Sequence, residues 1–196
     1  MFRTLPGDAE ARPVAELLGV VFDDSEINHW LVDGPAPERL DRMTAWFEIL
    51  VRHALTGAGQ VVVADSAGGD SPYAAAAVWF DRTGEATEPE NYAELTAKAA
   101  GPHLARFQAL DEVFDEHHPT EPHQHLAFLV AQPQRTGLGS KLLHHTTSRL
   151  TVPVYLEATS EDSRRLYETR HGFDRMNPPE IRPAGNGPAF HRMWRP

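Results

Sequence analysis

The chain has 196 residues, 41% of them apolar, and no cysteine, which excludes disulfides, Cys-bound zinc and a thiol nucleophile. A chain of this length buries about 70% of its unfolded surface, enough for a real core. Eighteen Lys and Arg against 28 Asp and Glu give −10, the wrong sign for gripping a phosphate backbone. No apolar run approaches 18 residues and MFRTLPGDAE holds no signal segment, so a cytoplasmic protein with no nucleic-acid or membrane partner is expected.

Loop-rich stretches at 66–71, 81–90 and 118–122 are short, so one domain over 1–196 is expected. A strand at 2–5 precedes an amphipathic helix carrying Val14, Leu17, Leu18 and Val21. A second helix over 36–55 gathers Leu40, Met43, Phe47, Leu50 and Val51 on one side. QVVVA at 60–64 and YAAAAVWF at 73–80 read as an antiparallel hairpin around a Gly-rich turn. Helices follow over 91–100 and 103–116. LAFLVA at 126–131 reads as a strand buried on both faces.

After the loop QPQRTGLGS, a helix runs through Lys141, Leu142 and Leu143 to Leu150, and a strand follows at 152–158, VPVYLEA. Strand, helix and strand in this compass make a βαβ unit with parallel strands and a right-handed crossover. Ser160 is the predicted N-cap of a helix over 160–170, and closing strands are predicted at 173–176 and 190–194. The fold class is α/β, a mixed sheet of six to seven strands flanked by helices.

In the loop, Gly137 and Gly139 stand at a strand-to-helix junction, where backbone N–H groups and the helix dipole attract an anion, with Arg135 and Lys141 at hand. An ordinary tight turn fits two glycines equally well. Ser140 separates Gly139 from Lys141, against a P-loop, and Leu142 stands where a dinucleotide motif needs its third glycine.

Gln134-x-x-Gly137-x-Gly139 after a hydrophobic strand resembles the acetyl-CoA pyrophosphate loop of the GCN5-related N-acetyltransferases (GNATs). Leu156-Glu157-Ala158, Leu166-Tyr167-Glu168 and Gly172-Phe173 resemble a second block of that family, in the right order. Phe22-Asp23-Asp24, VVVAD, AAVWF and the helical insert before His118-Pro119 resemble the puromycin N-acetyltransferase branch. The proline usual at position 131 stands at 133, and Tyr167 precedes Gly172 by five residues rather than four.

The resemblance implies a βαβ acetyl-CoA core, with acetyl-CoA as co-substrate and no metal. Its contacts would be Phe128, Leu129, Val130, Gln134, Arg135, Thr136, Gly137, Leu138, Gly139, Ser140, Lys141 and Ser163. It also implies direct attack of an amine in a ternary complex. By spacing alone Tyr167 is a core tyrosine; by resemblance it is the general acid toward the leaving thiolate. Glu157 sits near the carboxyl end of a strand that should be apolar, where ligands of open sheets bind. It is either a base with a pKa raised by burial or an edge residue whose side chain reaches solvent or pairs with Arg164 or Arg165. Asp24 and Glu26, with Asp23, lie in the loop that lines the family's acceptor groove. Trp30, Trp46 and Trp79 can form an aromatic acceptor pocket or fill the core. His125 can line the acceptor site as a second base, while His117, His118 and His123 fix no four-ligand metal set.

The leading expectation is an N-acetyltransferase acting on a small-molecule primary amine, as a monomer or homodimer. The alternatives are a protein N-terminal or lysine acetyltransferase, or a non-catalytic acyl-CoA sensor.

Overall fold

A computed structural model describes residues 1–68, 71–184 and 186–196; Gly69 and Asp70, in the predicted Gly-rich turn, lie outside it. Strands β1 (Phe2–Thr4), β2 (Gly59–Asp65), β3 (Tyr73–Arg82), β4 (His123–Ala131), β5 (Val154–Ala158), β6 (Asp174–Ile181) and β7 (Phe190–Arg195) form one sheet in the order β1-β2-β3-β4-β5-β7-β6. Every neighbouring pair is antiparallel except β4 and β5. The expected parallel pair and the mixed seven-stranded sheet are therefore present.

Helices α1 (Ala11–Phe22), α2 (Glu26–Leu31), α3 (Ala36–His53), α4 (Tyr92–Ala100) and α5 (Leu104–His117) supply the core on one face of the sheet. Helices α6 (Leu138–Thr147) and α7 (Glu161–His171) cover the other, where Leu142 and Leu143 pack against Val154, Leu156 and Met193. The α2 helix was not expected from the sequence. Ser25 starts it by accepting the Asn28 N–H at 3.2 Å, and Ile27 and Leu31 bury its inner side. The capping at α7 is as expected and more complete: Ser160 and Ser163 exchange hydrogen bonds in a capping box. Gly172 closes the helix in the left-handed region (φ 70°), which favours glycine.

Two features of β4 set up the site. First, β4 and β5 pair only at Gln124–Val154 and His125–Tyr155, so the strands part beyond those residues. Second, β4 carries a bulge against β3: Trp79 opposes Leu126 and Val78 opposes Phe128, leaving Ala127 extra. The bulge turns Phe128 and Val130 toward α3 and Leu129 and Ala131 toward α6. The predicted strand buried on both faces is corrected here, because Ala127, Phe128 and Leu129 are only half-buried where β5 has left their side.

Candidate active site

The site is organised around the gap between β4 and β5. At its upper end, residues 132–137 are exposed and lead into α6. Gly137 adopts φ 78°, a conformation L residues rarely hold, and its carbonyl accepts the Lys141 N–H at 3.0 Å. No side chain caps α6, so the backbone N–H groups of its first turn are free for a ligand. Gly139 has a different role. A Cβ there would meet Ala131 Cβ at 3.7 Å and Leu129 Cγ at 4.0 Å, so this glycine lets the helix lie close to β4.

The loop's polar groups are distributed unevenly. Arg135 and Lys141 are exposed. Gln134 donates to the Val21 carbonyl at 3.4 Å, tying the loop to the end of α1, and Thr136 donates to the Pro133 carbonyl at 3.1 Å. Ser140 and His171 share a 2.8 Å hydrogen bond between the starting turn of α6 and the last turn of α7. Ser163, expected beside the cofactor, has its hydroxyl engaged in the α7 capping box.

Below the parting point, the face toward α5 carries a polar cluster. Alternation on β5 sends Val154, Leu156 and Ala158 into the α6–α7 core, which leaves Tyr155 and Glu157 on the opposite face. His123 and His125 stand beside them on β4, and His118 follows α5. The last strand pair and the bulge thus bring His125 next to Glu157, at 2.9 Å between Nε2 and Oε2, both side chains at most 10% exposed.

The protonation pattern follows from these neighbours. Burial works to raise the Glu157 pKa, but His125, the nearby Tyr155 hydroxyl and His118 outweigh it and hold the carboxyl below its usual range. The expectation of a raised pKa is thereby corrected, and so is pairing with Arg164 or Arg165, which bind Glu161 instead. An ionised Glu157 only accepts, so His125 Nε2–H is the donor. His125 Nδ1 and Glu157 Oε1 are then buried without partners. Unsatisfied buried polar atoms of this kind mark a place where a ligand or water belongs.

Two further histidines surround the pair. His123 Nδ1–H donates to the Glu121 carbonyl at 2.7 Å, so its Nε2 accepts from His118 Nε2–H at 3.2 Å. Burial, with His125, His123 and Arg82 nearby, pushes the His118 pKa down to about 3, so it is neutral at neutral pH. His118 and His125 stack edge-on at 5.0 Å, and each lies within 5.4 Å of the Tyr155 ring. The buried His123 and His125 and the half-buried His118 thus form one ring cluster with Tyr155. No group of three metal-ligating side chains occurs among the described residues. Sequence reasoning missed Tyr155 and Arg82 here; a tyrosine and an arginine on strands next to His-x-His were the available signal.

Tyr167 stands on the other side of the sheet, packed with Phe173, Leu142 and Leu143. Burial alone pushes its pKa to about 12. Glu157 and Tyr167 therefore lie on opposite faces of the sheet.

The acceptor-side expectations divide. Asp24 and Glu26 are exposed, Asp24 in the turn before α2 and Glu26 at its start. Asp23 instead pairs at 3.0 Å with the buried Arg39, which also donates to the Gly34 carbonyl at 3.1 Å and so fixes the α1–α3 connection. Trp30 is half-buried, with its carbonyl held by Arg106 at 2.5 Å. The three tryptophans do not form one pocket: Trp46 packs in the α1–α5 core, whereas Trp79 is fully buried on the α6–α7 face. Phe128, half-buried at the parting point, joins Phe47 (5.1 Å) and Trp46 (6.4 Å) in an aromatic wall instead. A groove of about 1300 Å³ between α3 and residues 89–99 shares none of these residues.

No helix among the described residues is long and apolar enough to cross a membrane. No family model matches the chain, and no curated protein does. Solved structures do. An acetyltransferase from Corynebacterium glutamicum, described as histone acetyltransferase HPA2 and related acetyltransferase, superposes with a TM-score of 0.71 at 24% identity, covering 100% of this chain and 96% of the other. An agmatine N-acetyltransferase gives 0.61 at 20% identity, covering 99% and 97%. The polyamine N-acetyltransferase of Drosophila melanogaster gives 0.55 at 19% identity, covering 99% and 98%. None of the three is named for puromycin. Over its whole length, the chain has the fold of the GNAT N-acetyltransferases.

Proposed function

We propose that the protein is an acetyl-CoA-dependent N-acetyltransferase whose acceptor is the primary amine of a small molecule. A fold alone does not carry an activity. The observation that carries this one is the meeting of two elements at the β4–β5 gap: an uncapped helix start at its upper end and the buried His125–Glu157 pair below. The first suits a pyrophosphate. The second suits a group that must take a proton.

In this reading the first turn of α6, with Gly137, Gly139 and Ser140, holds the CoA pyrophosphate. The pantetheine arm runs along Phe128, Leu129 and Val130, and its thioester lies in the gap. The amine nitrogen attacks the thioester carbonyl carbon, the C–S bond breaks, and one amine proton passes to the His125–Glu157 pair. Because Glu157 is held ionised, its own basicity is low. Its role is to fix Nε2–H on His125 and leave Nδ1 as the accepting nitrogen. Tyr167 stands on the sulfur side. A phenol at about 12 is a weaker acid than a thiol near 8.5, so it stabilises the departing sulfur by a hydrogen bond rather than by giving up its proton. The amide nitrogen keeps its remaining hydrogen, and a proton equal to the one the pair removed reaches the thiolate through solvent, so that amine and acetyl-CoA give amide and CoA thiol.

Release of CoA thiol, followed with a chromogenic disulfide across a panel of primary amines, tests the proposal. Acetyl-CoA binding by calorimetry runs beside it. Amine-dependent thiol release with a 42-Da gain in the amine is the expected result; tight binding without release would identify an acyl-CoA sensor instead.

A further inference from the structure

Most arginines of this acidic chain are engaged. Arg3, Arg12, Arg39, Arg42, Arg52 and Arg164 bind carboxylates, and the buried Arg192 donates to the carbonyls of His117, Asn177 and Pro178. Arg135, Arg149 and Arg170 stand exposed in water. Arg82 fits neither group. It is half-buried at the end of β3, its Nε is shut away from solvent with no partner, and it makes no ion pair or hydrogen bond among the described residues.

Its position matters more than its isolation. Arg82 is opposite His123 in the β3–β4 register, and Phe80 is opposite His125. The guanidinium lies over the Phe80 ring at 5.6 Å, and that ring is 6.1 Å from His125. Stacking covers the planar face and leaves the N–H edges to find an acceptor. Glu157, Asp115 and Glu88 are near enough to favour its charge, yet burial outweighs them and lowers its pKa. A guanidinium does not deprotonate at neutral pH, so a half-buried one whose Nε has neither water nor a partner is suited to an anion that reaches it from outside.

That anion does not belong to acetyl-CoA. Eight residue steps along β4 separate His123 from Ala131, roughly 26 Å at strand rise, so the phosphate loop is out of reach. The acceptor must bring it. The exposed carboxylates of Glu88 and Asp115 at the mouth disfavour a dianion, whereas one guanidinium fork matches one carboxylate.

We infer that Arg82 recognises a carboxylate on the acceptor, so that the substrate is an amine that is also an acid, an amino acid or a close relative. The inference rests on the acetyltransferase reading and adds a substrate class to it.

Matched pairs differing only in that carboxylate test the idea: arginine against agmatine, lysine against 1,5-diaminopentane, tyrosine against tyramine. O-Phosphoethanolamine against ethanolamine serves as the phosphate arm. The wild type should favour at least one carboxylated member by roughly tenfold to a hundredfold in kcat/KM, the worth of a charge-assisted bidentate contact. Arg82→Met, which keeps the apolar stem over Phe80, should bring that ratio to about one. Arg82→Lys, which keeps charge but not the fork, should leave part of it. A thermal melt of both variants checks folding, and the ratio is read within each variant.

Equal or better use of the decarboxylated amines, a preference for the phosphate, or an unchanged ratio in Arg82→Met would overturn the inference while leaving the acetyltransferase reading standing. Acetyl-CoA binding with no transfer to any carboxylated amine would overturn it as well. Failure to bind acetyl-CoA at all would remove both.

Discussion

The two faces of the sheet at the β4–β5 gap could hardly differ more. On the α5 side, His118, His123, His125, Tyr155, Glu157 and Arg82 crowd together, with three buried polar atoms lacking partners. On the α7 side, Tyr167 brings one hydroxyl into a wall of Leu142, Leu143, Leu156 and Phe173. An amine that arrives as an ammonium must lose a proton before it can attack, so its side needs bases and positioning charges. A departing thiolate needs only modest stabilisation, and an apolar wall with one donor supplies that without admitting water. Under the proposed function, the contrast gives nucleophile and leaving group opposite faces of one sheet.

The largest expected effect comes from removing the base side. Glu157→Gln should lower kcat/KM by roughly 10²–10⁴, because Nε2–H of His125 loses its anionic partner, with partial recovery at high pH where free amine is plentiful. Steady-state rates across pH decide it, and undiminished turnover would break the contrast between the faces. Next comes the loop. Gly139→Val should weaken CoA binding roughly tenfold to a hundredfold by forcing α6 off β4, whereas Gly139→Ala should stay close to wild type because its Cβ would make only ordinary contacts. Calorimetry with CoA separates the two; equal losses would mean that the residue faces the phosphate, not the strand.

Smaller still is the thiolate side. Tyr167→Phe removes one hydrogen bond, so kcat should fall about tenfold with acetyl-CoA affinity unchanged and no rescue at high pH. A loss matching that of Glu157→Gln would mean the phenol surrenders its proton after all.

The mildest test concerns stability. His118 is depressed to about 3 in the fold, against 6.5 when exposed. The unfolded chain therefore binds the extra proton between those values, and the stability this gives is complete above pH 6.5 and lost as pH falls toward 3. Glu157, lowered from 4.5, acts in the same direction but only below that value. Denaturant unfolding between pH 6.5 and 4.5 should thus show a shallower slope in His118→Gln than in the wild type. Parallel slopes would place His118 in water.

The sequence made the upper half of this arrangement legible and hid much of the lower. A Gly-rich turn between an apolar run and a helix, followed by VPVYLEA, is a local pattern, and local patterns dictate strand, helix and parallel pairing. The polar start of β4 did not look like a strand, since His123, Gln124 and His125 break the apolar run that follows them. Their burial depends on α5 and β5, which are distant in sequence. The six-residue α2 is too short for periodicity to reveal, although Ser25 followed by Glu26 was a capping cue. Where β5 leaves β4 is written in no single segment, so half-exposure of Phe128 and Leu129 could not be read from an apolar run. The ionised state of Glu157 was hidden for the same reason: burial alone predicts the opposite sign, and the partner that reverses it lies 32 residues away.

The bulge at Ala127 makes β4 two strands out of phase. Alternation restarts there, so the segment before it, on the proposed acceptor side, and the segment after it, on the proposed coenzyme side, share no parity. Deleting that one alanine would restore a continuous alternation, Phe128 following Leu126 directly and still opposite Val78, so that Phe128 and Val130 keep facing α3 and Leu129 keeps facing α6. A substitution on either half likewise leaves the facing of the other untouched. Under the proposed function, acceptor preference can therefore drift residue by residue through the lower half of the strand while the upper half keeps its grip on the same donor.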